Sequence, residues 1–591
     1  MSIYDYIVIG VYLAFMLSLG PIYKSFSKNS SDFFRGGGGM LWWVVGSSAF
    51  MNQFSAWSFT GGAGKAYETG TFFLILFFCN ALATITTVVF TVHRFRQMRV
   101  ITAIEAIRKR FGNTNEQIFN WLPLFFKCFF GGIMLYTISV FMSGVFGTDM
   151  RLVIVILGGV TICMTLLGGS WAATAGDFIQ MLVVLIITFI MAFLTLTHEE
   201  VGGLKGLIEK IPSRHFDWTE FARPSVIIVF TVVLLINQII FFNSMQTGAA
   251  RYLFVKDGRE ARMAAMISVF GFLFLPVIWI IPALGAAILF PDIAGMERFA
   301  ELNNPSEGAY VAIAIELLPQ GLLGLLVCGI FAASLTSMNS LLNVFAGGFV
   351  RNFYIRVINK NASESQQILV GRIFILVYGV IWITIAILFS QIKGLKLFDL
   401  ILLSTAAIGL PAALPMLLGM FVRKVPAWSG WSTMVVGFGV SILLHLGFTQ
   451  WGLMEAVSTT FYPEAPLNVQ ESGDLKIAMT TAVIFLFCTI WFFATTAFYK
   501  HTTPEYREQV DDFYTEMNTP IDRSQTRLPD YEGDRRQYKV LSILCFAYGS
   551  LTLLLLAVPN DLQSRLLVLI CGGIVVAIGG LLLWLSKRRP A

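Results

Sequence analysis

A run of amide and hydroxyl side chains lies inside an otherwise apolar stretch near the start of the chain. The stretch reads LWWVVGSSAFMNQFSAWSFTGGAGKAYETG and carries Ser47, Asn52, Gln53, Ser55 and Ser58. These side chains offer neutral oxygen atoms, which can bind a hard monovalent cation or a polar organic molecule. Asn52, Gln53 and Ser55 together favour a binding site, whereas the glycines that follow are equally typical of a close contact between helices.

Two further apolar stretches carry polar residues of the same kinds. The stretch LLINQIIFFNSMQTGAARYL contains Asn237, Gln238, Asn243, Ser244 and Gln246. The stretch FAASLTSMNSLLN contains Thr336, Ser337, Asn339, Ser340 and Asn343, which fall on overlapping faces of a helix. Hydroxyls on such a helix could ligate a cation together with carbonyls from a broken helix. The competing interpretation is that they bond back to carbonyls of their own helix.

Two charged residues stand inside apolar stretches and need partners. Asp177 lies in GGSWAATAGDFIQ, and Lys127 lies in FFKCFF. An ionisable residue at membrane depth is a functional hypothesis by default. Asp177 could hold a cation, or Lys127 could neutralise it in a structural ion pair, and Lys127 could also extend to the interface. The sequence leaves these alternatives open.

The composition identifies the environment in which these residues must be positioned. Of the 591 residues, 56% are hydrophobic and only 13% are charged. A soluble domain is about 25% charged, so this chain is expected to be a polytopic membrane protein, all-α in class. The composition excludes a soluble enzyme and a nucleic-acid binder. The seven cysteines all lie in apolar runs and form no metal-binding or disulfide pattern.

Fifteen apolar runs are long enough to cross a bilayer as helices. They begin near Ile3, Met40, Thr71, Phe119, Arg151, Gly176, Ser225, Ala261, Gly321, Ile368, Lys396, Gly430, Lys476, Tyr538 and Ser564. With the N-terminus outside, most of the 41 Lys and Arg residues fall in loops on the cytoplasmic side. We therefore predict a multi-pass protein of the cell membrane with an external N-terminus and a cytoplasmic C-terminus.

Three polar segments separate these runs, at 198–224, 450–475 and 500–538. The first two are predicted outside and the third inside. The sequence PEYREQVDDFYTEMNTPID in the third could form a short amphipathic helix, although a solvated linker is the favoured interpretation.

The second and seventh runs are predicted to be broken helices, because their polar residues are concentrated at mid-membrane. Each stands first in a block of five runs, which is the arrangement of an inverted repeat. Transporters place their substrate where such helices break, since the break frees backbone carbonyls and helix ends.

These features resemble the sodium:solute symporter family, which includes sodium–glucose, sodium–proline and sodium–sialic acid transporters. The resemblance runs from about residue 3 to 450. It is carried by FRGGGGMLWWVVGSSAFMNQFSAWSFTGGAGKAYETG, ITAIEAIRKRFG, GGSWAATAGDFIQ, ARYLFVKDGREARMAA and FAASLTSMNSLLN in order. It implies a LeuT-like five-plus-five inverted repeat at 40–422, with halves at about 40–197 and 225–422. A peripheral helix at 1–23 precedes this core, and about four helices at 430–591 follow it.

The resemblance also implies a set of sodium ligands. One sodium would be held by the carbonyls of Met51, Phe54 and Ala333 and by the hydroxyls of Thr336 and Ser337. A second sodium would be held by Asp177 with Thr336, Asn339 and Ser340. Asn339 departs from the serine of the family pattern but still offers a carbonyl oxygen.

The substrate residues implied by the resemblance are Gln53, Trp57, Ser58, Gln238 and Phe241. Most of the polar set of the sugar-carrying members is absent, because the matching positions include Phe77 and a stretch near Phe272. The expected function is sodium-coupled import of a small polar organic solute by alternating access. A sugar, an amino acid and an organic acid all remain open as substrates. A solute sensor that signals through 500–538 is the alternative, and a membrane enzyme ranks last.

Overall fold

The computed structural model describes residues 1–24, 39–51, 53–100, 103–167, 170–245, 249–300, 302–521 and 531–587. Within these ranges the chain is helical and contains no strand. The first half of the chain forms α1 Ile3–Lys24, α2 Trp42–Met51, α3 Ala63–Thr69, α4 Leu74–Thr86, α5 Val92–Gln97, α6 Ala103–Phe111, α7 Asn113–Phe146, α8 Met150–Leu167, α9 Ser170–Thr197 and α10 Gly203–Lys210.

The second half continues the same architecture. Its helices are α11 Pro224–Asn243, α12 Ala249–Tyr252, α13 Gly258–Leu289, α14 Ala309–Leu317, α15 Leu322–Phe349, α16 Glu364–Ser390, α17 Leu397–Ser404, α18 Leu410–Phe421, α19 Ser429–Thr449, α20 Leu453–Phe461, α21 Val469–Ala494, α22 Pro504–Asn518, α23 Tyr531–Leu553 and α24 Leu562–Lys587. The π-helical segment Ser58–Gly62 leads directly into α3. The π-helical segment Thr87–Thr91 connects α4 to α5, and Thr405–Gly409 connects α17 to α18, so each pair forms one longer helix.

The membrane spans agree with the hydropathy of the sequence. Twelve helical stretches of the described residues are long and apolar enough to cross a bilayer. The three remaining predicted spans correspond to α1, to α2 and to α8, whose apolar parts are shorter. Each of the fifteen predicted runs thus corresponds to a helix.

Both predicted helix breaks are present. Helix α2 ends at Met51, and residues 53–55 are not helical. Helix α11 ends at Asn243, Ser244 has an extended backbone, and the next helix begins at Ala249. The broken helices open two successive groups of five spans, as an inverted repeat requires.

The first helix is fixed to the core by a carboxylate. Asp5 is buried, and its Oδ1 accepts the N–H groups of Gly321 (2.8 Å) and Gly324 (3.0 Å) at the start of α15. A carboxylate satisfies free N–H groups and favours the positive end of a helix. Asp5 therefore anchors α1 against the start of α15.

Two sequence interpretations are corrected by the structure. Residues 504–518 are not a solvated linker, because they form α22, which buries Val510, Phe513 and Met517 against the rest of the chain. The span predicted near Lys476 begins earlier, at Val469, because Asn468 forms a capping box with Glu471. This earlier start brings Asp474 inside the helix.

Candidate functional site

The break after α2 is built from tight turns and one contact with a distant helix. The N–H groups of Gln53 and Phe54 donate to the carbonyls of Phe50 and Met51, each at 3.0 Å. These turns close the end of α2 in place of continued α-helical bonds. Two residues after Phe54, the N–H of Ala56 donates to the Ser334 Oγ of α15 at 2.9 Å.

Ser334 thus brings the break and α15 together at the positions that the sequence singled out. It is buried and directly follows Ala333. One turn later, the Ser337 hydroxyl donates to the Ala333 carbonyl at 3.2 Å. This bond uses the Ser337 hydroxyl proton and leaves lone pairs on the oxygen free.

The other predicted ion ligands are only partly within the described structure. The side chains of Asp177, Thr336 and Ser340 lie outside the described residues. The Asn339 Oδ1 accepts the Thr165 hydroxyl of α8 at 2.7 Å. The Lys127 ammonium lies over the ring of Phe345 in α15, 5.7 Å from its centroid.

Trp57 and Ser58, which were predicted to contact substrate, lie just beyond the break. Both are buried, and among the described residues neither Trp57 Nε1 nor Ser58 Oγ has a hydrogen-bond partner. A buried polar atom without a partner needs an explanation, and an absent ligand is one. Gln53, by contrast, is exposed.

The two predicted substrate residues of α11 have protein partners. The Gln238 Nε2 donates to the Asn80 Oδ1 of α4 at 2.7 Å. The Phe241 ring lies beside Gly409, where an added Cβ would come within 3.7 Å of its Cε2 atom. Gln238 therefore joins two helices, and Phe241 faces the π-helical segment between α17 and α18.

Aromatic rings fill the space between Trp57 and Phe241. Successive ring pairs run from Trp57 through four further phenylalanines to Phe241, with centroids 5.2–6.4 Å apart. The intermediate rings are Phe73, Phe77, Phe272 and Phe242. Such spacing is typical of favourable ring contacts. The positions at which the sequence lacks the sugar-binding polar set are thus occupied by packed phenyl rings.

A small cavity of about 20 Å³ lies beside the break. Its lining includes Phe54, Val184, Thr188 and Trp279. The volume is enough for one water molecule and too small for an organic solute.

Comparison with known proteins identifies the family. The model of SSF, the sodium:solute symporter family, matches residues 33–437. The chain belongs to the sodium:solute symporter family.

Several curated relatives of this symporter cover most of its length. It is 26% identical over 454 residues to the sodium/sialic acid symporter of Proteus mirabilis, covering 75% of this chain and 88% of the relative. It is 26% identical to the sodium/glucose cotransporter 1 of Mus musculus, covering 74% and 71%. The osmoregulated proline transporter of Bacillus subtilis is 25% identical, covering 74% and 88%. Sodium-coupled symport is the activity of the family to which this chain belongs, and these relatives do not specify its substrate.

Solved structures confirm the fold. A sodium-coupled sialic acid symporter in its substrate-bound outward-open state superposes with a TM-score of 0.61 at 21% identity, covering 83% of this chain and 98% of that one. A nucleobase-cation-symport-1 family transporter in a closed conformation gives a TM-score of 0.50 at 12% identity, covering 82% and 99%. The predicted LeuT-like fold is confirmed.

Sequence reasoning missed two charged residues inside the spans of the symporter. Lys65 of α3 and Asp474 of α21 are both buried, with their nearest charged atoms 3.9 Å apart. The Lys65 ammonium also lies 5.1 Å from the ring centroid of Phe398. Lys65 follows Trp57 by two helical turns in a stretch of small residues. This spacing is the sequence feature from which its place inside the core could have been predicted.

Proposed function

We propose that this symporter imports a small polar organic solute together with sodium by alternating access. The transport core is residues 40–422, with repeats at about 40–197 and 225–422. Residues 1–23 and 430–591 form the peripheral parts. The observation that carries the proposal is the hydrogen bond from Ala56 to Ser334, since it holds a broken helix against an oxygen-rich helix in the middle of the core.

Sodium binds between the break and α15 in this proposal. Its ligands are the carbonyls of Met51, Phe54 and Ala333 and the hydroxyls of Thr336 and Ser337. Three features support the site: the break leaves the carbonyls of α2 outside regular helix, Ser334 holds this segment beside Ala333, and the Ser337 oxygen retains free lone pairs. Neutral oxygens in a dry pocket suit a hard monovalent cation.

A second sodium near Asp177, Thr336, Asn339 and Ser340 remains a prediction. The Asn339 carbonyl oxygen already accepts one hydrogen bond, from Thr165. A carbonyl oxygen has a second lone pair, so Asn339 can accept this bond and still ligate an ion.

The solute binds on the far side of the break from α2, against Trp57 and Ser58. Their unpartnered indole N–H and hydroxyl supply polar contacts, and Gln53 supplies an exposed amide at the break. Phe241 contributes an aromatic face, while Gln238 acts through its bond to Asn80. The relatives carry sialic acid, glucose and proline, so sugars, amino acids and organic acids are the classes to test.

The proposed orientation places the α22 end in the cytoplasm and the α3 end outside, in the cell membrane. The excess of Lys and Arg in loops on the α22 side supports this assignment. Helix α22 is packed on the core and is not a free signalling segment, which weighs against the sensor alternative. Transport, and not catalysis, is the proposed activity.

The first experiment is uptake of labelled solutes into proteoliposomes under an inward sodium gradient, with potassium replacing sodium as the control. The panel spans sugars, sugar acids, amino acids and small carboxylates. We expect sodium-dependent accumulation of one class. Equal accumulation of a solute in sodium and potassium would contradict the proposal.

The second experiment tests the proposed ligands with the solute so identified. Thr336→Ala and Ser337→Ala should each raise the sodium concentration for half-maximal uptake severalfold, because each removes an oxygen ligand. Gln53→Ala should mainly change the solute affinity. Ser139→Ala is the matched control, since the Ser139 hydroxyl bonds back to the Leu135 carbonyl within α7. An unchanged sodium response in both ligand variants would reject the site.

A further inference from the structure

A carboxyl group with one unused oxygen is buried at the α3 end of the core. Glu307 lies in the turn Pro305–Gly308 and is only 2% exposed. Its Oε1 accepts the N–H of Leu397, the first residue of α17, at 2.6 Å. Its Oε2 is buried and has no hydrogen-bond partner in the part of the chain that the structure describes. An ionised carboxylate would leave that oxygen both charged and unsatisfied.

The turn that carries Glu307 is tightly held between two core helices. An added Cβ at Gly64 of α3 would lie 3.0 Å from the Glu307 N and Cα atoms. At Gly61, one turn earlier, an added Cβ would lie 2.7 Å from the Leu397 Cβ. Glu307 thus occupies the junction at which α3, its own turn and α17 close this end of the molecule.

The cation whose charge acts on Glu307, Lys396, is already paired with another carboxylate. The Lys396 ammonium contacts Glu68 Oε2 at 2.7 Å, and Asn304 donates to Glu68 Oε1 at 3.2 Å. Within the described ranges, no Lys, Arg or His lies within 4.0 Å of the Glu307 carboxyl. The titratable groups on the elements around the turn include Lys65, Tyr67 and Glu68 on α3, Tyr136 on α7, Asp292, Tyr310 and Glu316 on α14, and Lys396 and Asp399 at α17.

Burial raises the pKa of Glu307 to about 8, and the charges of Glu68 and Asp399 add to this rise. The hydrogen bond from Leu397 and the charge of Lys396 act in the opposite direction. A solvated glutamate has a pKa of about 4.3. The direction of the shift agrees with the geometry, in which one carboxyl oxygen lacks any donor.

We propose that Glu307 is a proton-binding site of the closed outer end of the symporter, and that opening of this end releases the proton. The proposal rests on the proposed function for the orientation and for alternating access. In the closed arrangement the protonated carboxyl is neutral and accepts the Leu397 N–H. When α3 and α17 separate, water reaches the carboxyl and it ionises.

The sign of the pH dependence follows from linkage. The closed arrangement carries the higher pKa, so the proton favours closure fully below about pH 4.3, and this preference is lost as the pH rises through about 8. Between these limits, acid opposes opening by up to about tenfold per pH unit. Sodium arriving from outside needs the open end, so acid should weaken its apparent binding.

The test is the sodium concentration for half-maximal uptake, measured at external pH values from about 6 to about 8.5. For the unmodified protein we expect this concentration to rise as the pH falls. Glu307→Gln keeps an acceptor for Leu397 but cannot ionise, so its sodium requirement should no longer vary with pH in this range. Glu297→Gln is the matched control, because Glu297 is exposed on the same connection between α13 and α14.

Two further measurements keep the proposal falsifiable. Glu68→Gln removes a neighbouring negative charge and frees Lys396, so it should move the midpoint of the pH dependence to lower pH. Infrared spectroscopy of the purified protein should show, at neutral pH, a protonated carboxyl band that Glu307→Gln removes. This measurement needs no substrate, so it separates failure of the proton site from failure of the proposed function. A flat sodium requirement in the unmodified protein, or the absence of that band, would overturn the proposal.

Discussion

The two ends of the transport core are closed by contacts of opposite kinds. At the proposed outer end, Lys65 and Asp474 are buried 3.9 Å apart, and neither the Lys65 Nζ nor the Asp474 Oδ1 makes a hydrogen bond with any described residue. The Glu307 Oε2 nearby is also buried without a partner. These groups give up hydration and receive few hydrogen bonds in return.

At the proposed cytoplasmic end, the buried cation Arg110 makes four hydrogen bonds. Arg110 of α6 is 0% exposed, and its Nε donates to the Gly419 carbonyl at 2.8 Å. Its Nη atoms donate to the Tyr506 hydroxyl of α22 at 2.9 Å and to the carbonyls of Val422 and Arg423 at 2.9 and 3.2 Å. The apolar face of α22 covers this network.

This difference in the hydrogen bonding of the buried charges indicates which of the two ends opens more readily. Opening the outer end rehydrates poorly satisfied charges, which offsets part of the cost of separating the helices. Opening the α22 contact breaks several charge-assisted hydrogen bonds and exposes apolar side chains. We therefore expect the outer end to open while α22 remains attached to α6 and to the end of α18.

The largest expected effect comes from breaking the buried pair. Asp474→Ala leaves the Lys65 ammonium buried without a counterion, which should lower the free energy of unfolding by about 3–5 kcal/mol. The double variant Lys65→Met with Asp474→Leu should recover most of this loss. Thermal unfolding in one detergent measures both.

The matched control for the buried pair is Glu209→Ala. Glu209 faces Lys205 in an exposed pair, so its loss should cost no more than about 0.5 kcal/mol. If Asp474→Ala were as stable as this control, the outer charges would not be the poorly solvated groups that the comparison requires.

A smaller loss of unfolding free energy is expected at the proposed cytoplasmic end. Arg110→Ala removes one hydrogen-bond donor from each of three backbone carbonyls and from the Tyr506 hydroxyl, and should cost about 2–4 kcal/mol. It should also free α22 for proteolysis. Arg259→Ala, at an exposed position of α13, is expected to cost under about 1 kcal/mol. Undiminished protection of α22 in Arg110→Ala would show that the other contacts of this helix, such as the Lys109–Glu516 ion pair at 2.6 Å and its apolar face, are sufficient to attach it.

The smallest effect concerns the fit of α3 against α17. Gly61→Ala places a Cβ 2.7 Å from the Leu397 Cβ, so it should disfavour the closed outer end by about 1–3 kcal/mol. Gly439→Ala is the control, because no atom lies within 4 Å of its added Cβ. Hydrogen exchange at 396–400 should rise only in Gly61→Ala, and equal exchange in both variants would contradict the tight fit.

The fold was largely predictable from the sequence because its signals are local. Apolar runs define the helices, and the polar residues near Gln53 and Asn243 mark both breaks. The partners of these residues were not predictable. Ser334 meets Ala56 across 278 positions of the chain, and Gln238 meets Asn80 across 158. Such pairs depend on how helices pack, which hydropathy does not encode.

The partners of the charged residues were likewise not predictable from the sequence. The sequence left open whether Lys127 pairs with Asp177 or extends to the interface; its ammonium lies over the ring of Phe345, and the Asp177 side chain lies outside the described residues. Asp474 was assigned to a loop because the capping box at Asn468 was not recognised, and the helix therefore starts earlier than predicted. Because the capping residue Asn468 was missed, the buried Asp474 was assigned to a loop and not to a helix.

Hydrogen exchange of the whole protein in sodium and in potassium tests the central claim most directly. Amide exchange reports local opening, so the two ends can be compared in one experiment. Sodium should raise exchange at 305–308 and 396–400, while residues 506–517 of α22 stay equally protected in both salts. Sodium-dependent exchange in α22 with none at the outer end would contradict the account.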